Sequence, residues 1–277
     1  MELVKYLNLN EFFQDISPFI ESNFISHFQL FETIDRLANR DEEIINLWNV
    51  KNGLEIEIIY LHTNRGHYFY GTTINKLAVK KLSDSIQTNN FVKDTILYGY
   101  SFIIENLIKE KKLKCNNNRN RYYMSINSCN ININKVDGKI YEAKEQDYNL
   151  LLPLMIDFYQ EEFEDKGIQT IEKVSLNFKK SLQTNGIYYW KIENQITSLI
   201  STTILPCSKV YIPNIYTIPK FRLKGISKTV LGSLLNIFFD KGFIEVGLNV
   251  RINNEPAIGL FNSLGMKIIY ETGIYEL

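Results

Sequence analysis

The segment Arg222-Leu-Lys-Gly-Ile-Ser227 is where residue types and spacing most directly suggest chemistry. Gly225 can take a positive φ, which turns successive backbone amides toward one point and creates a nest that binds anions. Ser227 is placed to act as N-cap of a helix whose apolar positions Val230, Leu231, Leu234, Leu235 and Phe238 share one face. The positive end of that helix then points into the same nest. Lys241 and Gly242 supply a cation for the last turn and a glycine just beyond it. Taken alone, the hexapeptide reads more readily as a solvated basic turn, and its setting reverses that balance.

That setting is a strand, a helix, a second strand and a second helix. Residues 209–217 read as a strand, and 243–250 alternate with Ile244, Val246, Leu248 and Val250 on one face. A short helix starts near Asn254. Pro219 cannot donate to a ladder, so pairing is expected to fail near the turn.

This order and the residues within it resemble the GNAT superfamily of acyl-CoA-dependent N-acetyltransferases. The family's loop, Q/R-x-x-G-x-G/A, is matched by Arg222, Gly225 and Ser227, with a hydroxyl replacing hydrogen or methyl at the third place. Its downstream signature N-x-x-A-x-x-L-Y-x-x-L-G-F is matched by Asn254, Ala257, Leu260, Phe261, Leu264, Gly265 and Met266. Upstream, 139–144 read as a strand, and 147–163 and 170–183 as helices. Asn185-Gly186 stops the second of these, and 187–192 with 196–204 form a hairpin turned at Glu193-Asn-Gln195. Pro153 is expected to kink the first helix or split it. The resemblance implies an α/β (α+β) fold, with a mixed, largely antiparallel twisted sheet flanked by helices.

At 277 residues with 45% hydrophobic content, the chain is long enough for two domains. The asparagine-rich run 125–138, ending in Asp-Gly, is the candidate linker. It separates residues 1–130 from 139–277, with 131–138 between them. After helical material in the first fifty residues, 54–62 and 67–70 read as strands, 75–87 as a helix, 93–98 as a strand, 100–112 as a helix and 121–126 as a strand. This repeats the order that closes the second half. The first half is therefore expected to be a degenerate copy of the same fold, or an accessory domain. Its Gly71-Thr-Thr-Ile-Asn75 connection has no counterpart of the arginine-to-serine loop, which predicts coenzyme binding in the second half only.

Charge argues against nucleic acid as a partner: the formal net charge is zero and the signs are interspersed. The basic run 109–114 reads as a solvated helix end. No segment is long and apolar enough to span a bilayer and residues 1–13 lack a leader pattern, so a cytoplasmic protein without membrane contact is expected. Cys115, Cys129 and Cys207 lack metal-ligand or disulfide spacing, so no metal is expected. His62 and His67 flank Thr63-Asn-Arg-Gly66 and read as exposed turn residues.

The resemblance also implies how the residues would work. Acetyl-CoA, the cosubstrate, would lie where the strand ending in Ile215, Tyr216 and Thr217 splays from the strand at 243–250. The amides of Leu223, Lys224, Gly225, Ile226, Ser227 and Lys228, with Arg222, would hold its pyrophosphate. Asn254, Ala257 and Phe261 complete the implied cofactor set. A backbone N–H near Tyr216 or Thr217 would polarise the thioester during direct attack by a small or peptide amine. Glu161 and Glu162, in Tyr159-Gln-Glu-Glu-Phe163, are the candidate bases, with an acidic solvent face as their other reading. Phe261 replaces a tyrosine whose hydroxyl, in many members, protonates the departing thiolate. Three readings follow: an N-acetyltransferase, a coenzyme-binding pseudoenzyme or sensor, and an interaction protein that has lost the cofactor. A homodimer is left open.

Overall fold

The computed structural model describes residues 1–23, 27–127, 136–162, 170–184 and 186–277. Cys129, Phe163, Asn185 and most of the expected 131–138 linker lie outside these residues. The contacts divide the chain into two units. Unit 1 comprises residues 1–123, 250–253 and 268–277, and unit 2 comprises 124–249 and 254–267. The units are thus not two contiguous segments.

The elements of the first half are β1 (Glu2–Tyr6), α1 (Leu9–Asn23), α2 (Phe28–Ala38), β2 (Ile44–Asn52), β3 (Glu55–Thr63), β4 (Gly66–Tyr70), α3 (Lys76–Ser85), β5 (Ile96–Tyr100), α4 (Ser101–Lys111) and β6 (Asn117–Ile126). Those of the second half are β7 (Lys139–Glu142), α5 (Tyr148–Glu162), α6 (Ile171–Gln183), β8 (Ile187–Ile192), β9 (Gln195–Leu205), β10 (Lys209–Thr217), α7 (Ile226–Asp240), β11 (Glu245–Arg251), α8 (Glu255–Ser263) and β12 (Lys267–Glu276). Both halves run β-α-α-β-β-β-α-β-α-β. The fold is mixed α/β with a largely antiparallel sheet, as expected.

In unit 1 the strands run β1-β2-β3-β4-β5-β12, and only the β4–β5 pair is parallel. The last strand of the chain is thus a strand of unit 1: Thr272 pairs with Tyr100 and Glu276 with Ile96. Core residues Val50, Ile58, Phe69, Val79, Leu82, Leu97, Ile104 and Leu107 are fully buried together. Two expectations fail here. Strands β1 and β2 were not foreseen; the middle of β2, Leu47 to Val50, is buried on both faces and shows no alternation. His67 is buried rather than exposed: its Nδ1 faces the Tyr60 hydroxyl at 2.8 Å, and its ring stacks on His62 at 3.9 Å. Burial pushes the His67 pKa down to about 3, and the buried His27 down to about 4.

In unit 2 the order is β7-β8-β9-β10-β11, antiparallel until the parallel β10–β11 pair. Helices α5 and α6 bury Leu151, Met155, Val174, Phe178 and Leu182 against Ile187, Tyr189 and Leu199. The neighbouring Tyr188, pointing to the other face by strand alternation, meets Phe238 of α7 edge-on at 5.9 Å. Each such large side chain contributes about 1.5–3 kcal/mol by burial, which holds α7 against β9 and β10. Pro153 does not split α5, which runs unbroken through it. Thr170 caps α6 by accepting from the Lys173 amide at 3.3 Å.

Candidate functional site

Strand β10 is paired on both sides over its first three residues, Lys209 to Tyr211, only. Its parallel ladder with β11 runs from Lys209↔Glu245 to Ile212↔Leu248 and stops, while pairing with β9 continues through Thr217↔Ser198. The residue at which β11 departs is Pro213, which has no N–H to donate, and the β9 register shifts across it between Tyr211 and Asn214. Sequence reasoning placed the end of pairing at Pro219 and missed this proline; a proline inside an otherwise apolar strand was the available signal. The Ile218 amide donates to the Thr197 carbonyl at 3.0 Å. Antiparallel alternation then turns the Tyr216 N–H toward β9 and the N–H groups of Ile215 and Thr217 toward the side that β11 has left. Asn249 stands just past the last paired residue of β11. Its Nδ2 donates to the Tyr211 hydroxyl at 3.1 Å, and its buried Oδ1 has no hydrogen-bond partner among the described residues.

The connection from β10 to α7 folds as a nest. Leu223 and Gly225 take φ of 60° and 77°. A Cβ on Gly225 would meet only the Val136 side chain, at an ordinary 3.5 Å, so the dihedral and not space calls for glycine. Leu223 has no such freedom: its left-handed conformation costs about 1–2 kcal/mol, and its side chain is fully exposed at 103%. Strain of this kind persists where the surrounding structure enforces it. The amides of residues 223–228 have no acceptor among the described residues, and α7 has no side-chain cap.

The expected capping role of Ser227 is corrected. Gly225 is the N-cap, and Ser227 sits in the first turn with its hydroxyl 2.9 Å from Thr217 Oγ1, which is 2.8 Å from Ser198 Oγ. This hydroxyl chain ties the start of α7 to β10 and β9. It gives a physical reason for a serine where the family pattern has glycine or alanine. Gly242 follows the helix end as expected, at φ 86°, while Lys241 is the C-cap rather than a residue of the last turn, which holds no cation.

The cationic and acidic candidates meet one another. Arg222 donates from Nε to the Thr217 carbonyl at 2.8 Å and from Nη2 to both carboxylate oxygens of Glu161 at 2.9 and 2.7 Å. Its guanidinium lies over the Tyr216 ring at 5.5 Å. The Tyr216 hydroxyl donates to Glu161 at 3.2 Å. Desolvation, reinforced by the Glu161 charge, pushes the Tyr216 pKa up to about 12, so its proton stays on at neutral pH. Glu162, one residue further along α5, is half-buried. Asn254 and Ala257 are joined by a cap: Asn254 Oδ1 accepts from the Ala257 amide at 3.2 Å. Phe261 is buried in α8. Lys224 and Lys228 add positive charge around the nest. Among the described residues no cluster of three or more His, Cys, Asp or Glu could hold a metal, and no helix is long and apolar enough to cross a membrane.

A diphosphate-bearing coenzyme fits these features: free amides at a helix start, a strand edge without its partner and an unpaired buried Asn249 oxygen. Comparison with known proteins agrees. The model of the acetyltransferase (GNAT) family matches residues 148–266. A comparison with curated protein sequences returned no match. Among solved structures, a GNAT-family acetyltransferase from Colwellia psychrerythraea has a TM-score of 0.64 at 10% identity, covering 100% of both chains. A GCN5-related N-acetyltransferase from Sphaerobacter thermophilus has a TM-score of 0.57 at 13% identity, covering 83% of this chain and 80% of its own. At such identities the likeness is one of fold, and the first of these extends it over both halves. Residues 148–266, which contain the nest, the parted strands and the α8 cap, are thus the part of the chain that matches the acetyltransferase (GNAT) family.

Proposed function

We propose that this protein transfers an acetyl group from acetyl-CoA to a primary amine, by direct attack within a ternary complex and without an acyl-enzyme. The observation that carries this reading is the open start of α7, where the amides of residues 223–228 have no acceptor among the described residues, beside the edge of β10 that β11 has left. The residues of the nest and Arg222 would bind the diphosphate, each charge-assisted bond contributing about 1.5–3 kcal/mol. Acetyl-CoA supplies an activated thioester when bound. The N–H groups of Thr217 and Ile215 are free to donate to a carbonyl oxygen at the parted edge. Thr217 and Ser227 hydroxyls are bonded to one another, with no histidine beside either, which disfavours a nucleophilic role.

An amine with a pKa of about 10.4 is unprotonated about once in a thousand molecules at neutral pH, so a carboxylate or a water relay has to take its proton. Glu161 and Glu162 are the acids assigned to that side. The acceptor is a small or peptide amine, and the reaction fits a cytoplasmic setting. One coenzyme site per chain is expected.

A second reading has a specific observation behind it. Phe261, buried where many family members place tyrosine, has no proton to give a departing thiolate. A coenzyme-binding protein with weak or no turnover would look the same. Calorimetric titration with acetyl-CoA, followed by thiol release across an amine panel, separates the readings. Binding with thiol release supports transfer, binding without release supports the sensor, and absence of binding contradicts both.

A further inference from the structure

The candidate base and the candidate phosphate ligand cannot both be at work while they hold each other. Arg222 places Nε on the Thr217 carbonyl and Nη2 on both oxygens of Glu161, and the Tyr216 hydroxyl takes a further Glu161 lone pair. Antiparallel alternation turns that carbonyl, like the Thr217 N–H, to the edge left open by β11. The guanidinium therefore lies across the edge at which the coenzyme would bind. It also quenches the carboxylate that would serve the amine. The pair is easily parted: Arg222 and Glu161 side chains are 41% and 44% exposed, and an exposed ion pair is weak. A diphosphate offers the same guanidinium two or more charge-assisted bonds beside free amides.

We propose that Glu161 is a positioning residue that parks Arg222, and that the coenzyme diphosphate competes with Glu161 for the guanidinium. Coenzyme binding moves Arg222 off the Thr217 carbonyl and leaves Glu161 with a free negative charge, which attracts the acceptor ammonium. The inference rests on the acyl-transfer reading above and adds the coupling between its two halves.

The test is a double-mutant cycle on coenzyme A affinity, with pantetheine, which lacks the diphosphate, as control. E161Q is expected to tighten coenzyme A about three- to fivefold, the scale of an exposed ion pair, and to leave pantetheine unchanged. In the R222A background the same substitution is expected to change coenzyme A affinity less than about twofold. R222K, which keeps the charge and loses the fork, replaces R222A if that variant does not fold by circular dichroism. Tightening that persists without Arg222 would mean simple repulsion between Glu161 and the diphosphate, and would overturn the proposal. So would unchanged or weaker binding by E161Q while wild type binds, a result that leaves acyl transfer standing. Absence of coenzyme A binding by wild type would remove the underlying reading and the coupling together.

Discussion

Helices α3 and α7 begin at the same point of the same element order, and they begin differently. In unit 1 the β4–β5 ladder reaches Phe69↔Gly99, one residue short of the end of β4, so the strands scarcely part. Asn75 then caps α3 by accepting from the Leu77 amide at 3.0 Å, and its own amide donates to Thr73 Oγ1 at 2.9 Å. In unit 2 the ladder stops at Ile212, five residues before the end of β10, and α7 starts from a left-handed glycine without a side-chain cap. One asparagine satisfies a helix start from within the protein; a glycine leaves the amides for something else. The left-handed Leu223 shows that unit 2 gives up stability at that spot as well.

The largest expected effect breaks the comparison directly. Gly225→Asp puts a carboxylate into the nest at a residue type that tolerates left-handed φ and caps helices well. Coenzyme affinity should fall by about a hundredfold or more, the worth of two charge-assisted bonds, while thermal stability is kept. Unchanged affinity by calorimetry would remove the nest from the account.

Acid should separate the units next. All three histidines of the chain lie in unit 1, two of them buried with pKa values held down to about 4 for His27 and about 3 for His67. The unfolded chain therefore binds more protons than the native one between pH 6.5 and those values. Stability must rise with pH across that window and be lost as pH falls through it, at up to about 1.4 kcal/mol per pH unit for each histidine. Hydrogen exchange followed from pH 7 to 5 should show unit 1 opening first. Equal opening of both units would contradict the assignment.

A smaller effect tests whether the cap or the strands matter more. Asn75→Ala should cost about 1 kcal/mol of stability. Asn75→Gly should cost less, and should not create a second coenzyme site, because β4 and β5 stay paired. Two sites per chain in a calorimetric titration of Asn75→Gly would show that the strand gap is not needed. The smallest change expected is Phe261→Tyr, which restores a phenolic proton donor and should raise turnover modestly. A thiol with a pKa of about 8.5 already leaves tolerably without help. No gain would point to water or another group as the proton source.

Much of unit 2 was legible because its signals are local. The bounds of β10 and the glycine that follows α7 come from alternation, helical spacing and turn residues. Where local signals ran out, reading failed for physical reasons. The centre of β2 is buried on both faces and lost its period. Pro153 sits in a helix that packing holds together despite one missing donor. Ser227 is a residue type that suits a cap, yet its hydroxyl bonds to Thr217, a partner ten residues away. The bond between Arg222 and Glu161 spans 61 residues. The pairing of β12 with β5 is longer still, joining the end of the chain to unit 1, and no local pattern encodes it.

Residue-level amide exchange, with and without coenzyme A, tests the central claim most directly. The account predicts that coenzyme protects the amides of residues 223–228, together with Ile215 and Thr217, and leaves those at the start of α3 unchanged. Exchange at 223–228 that is slow before coenzyme is added, or unaffected afterwards, would contradict it.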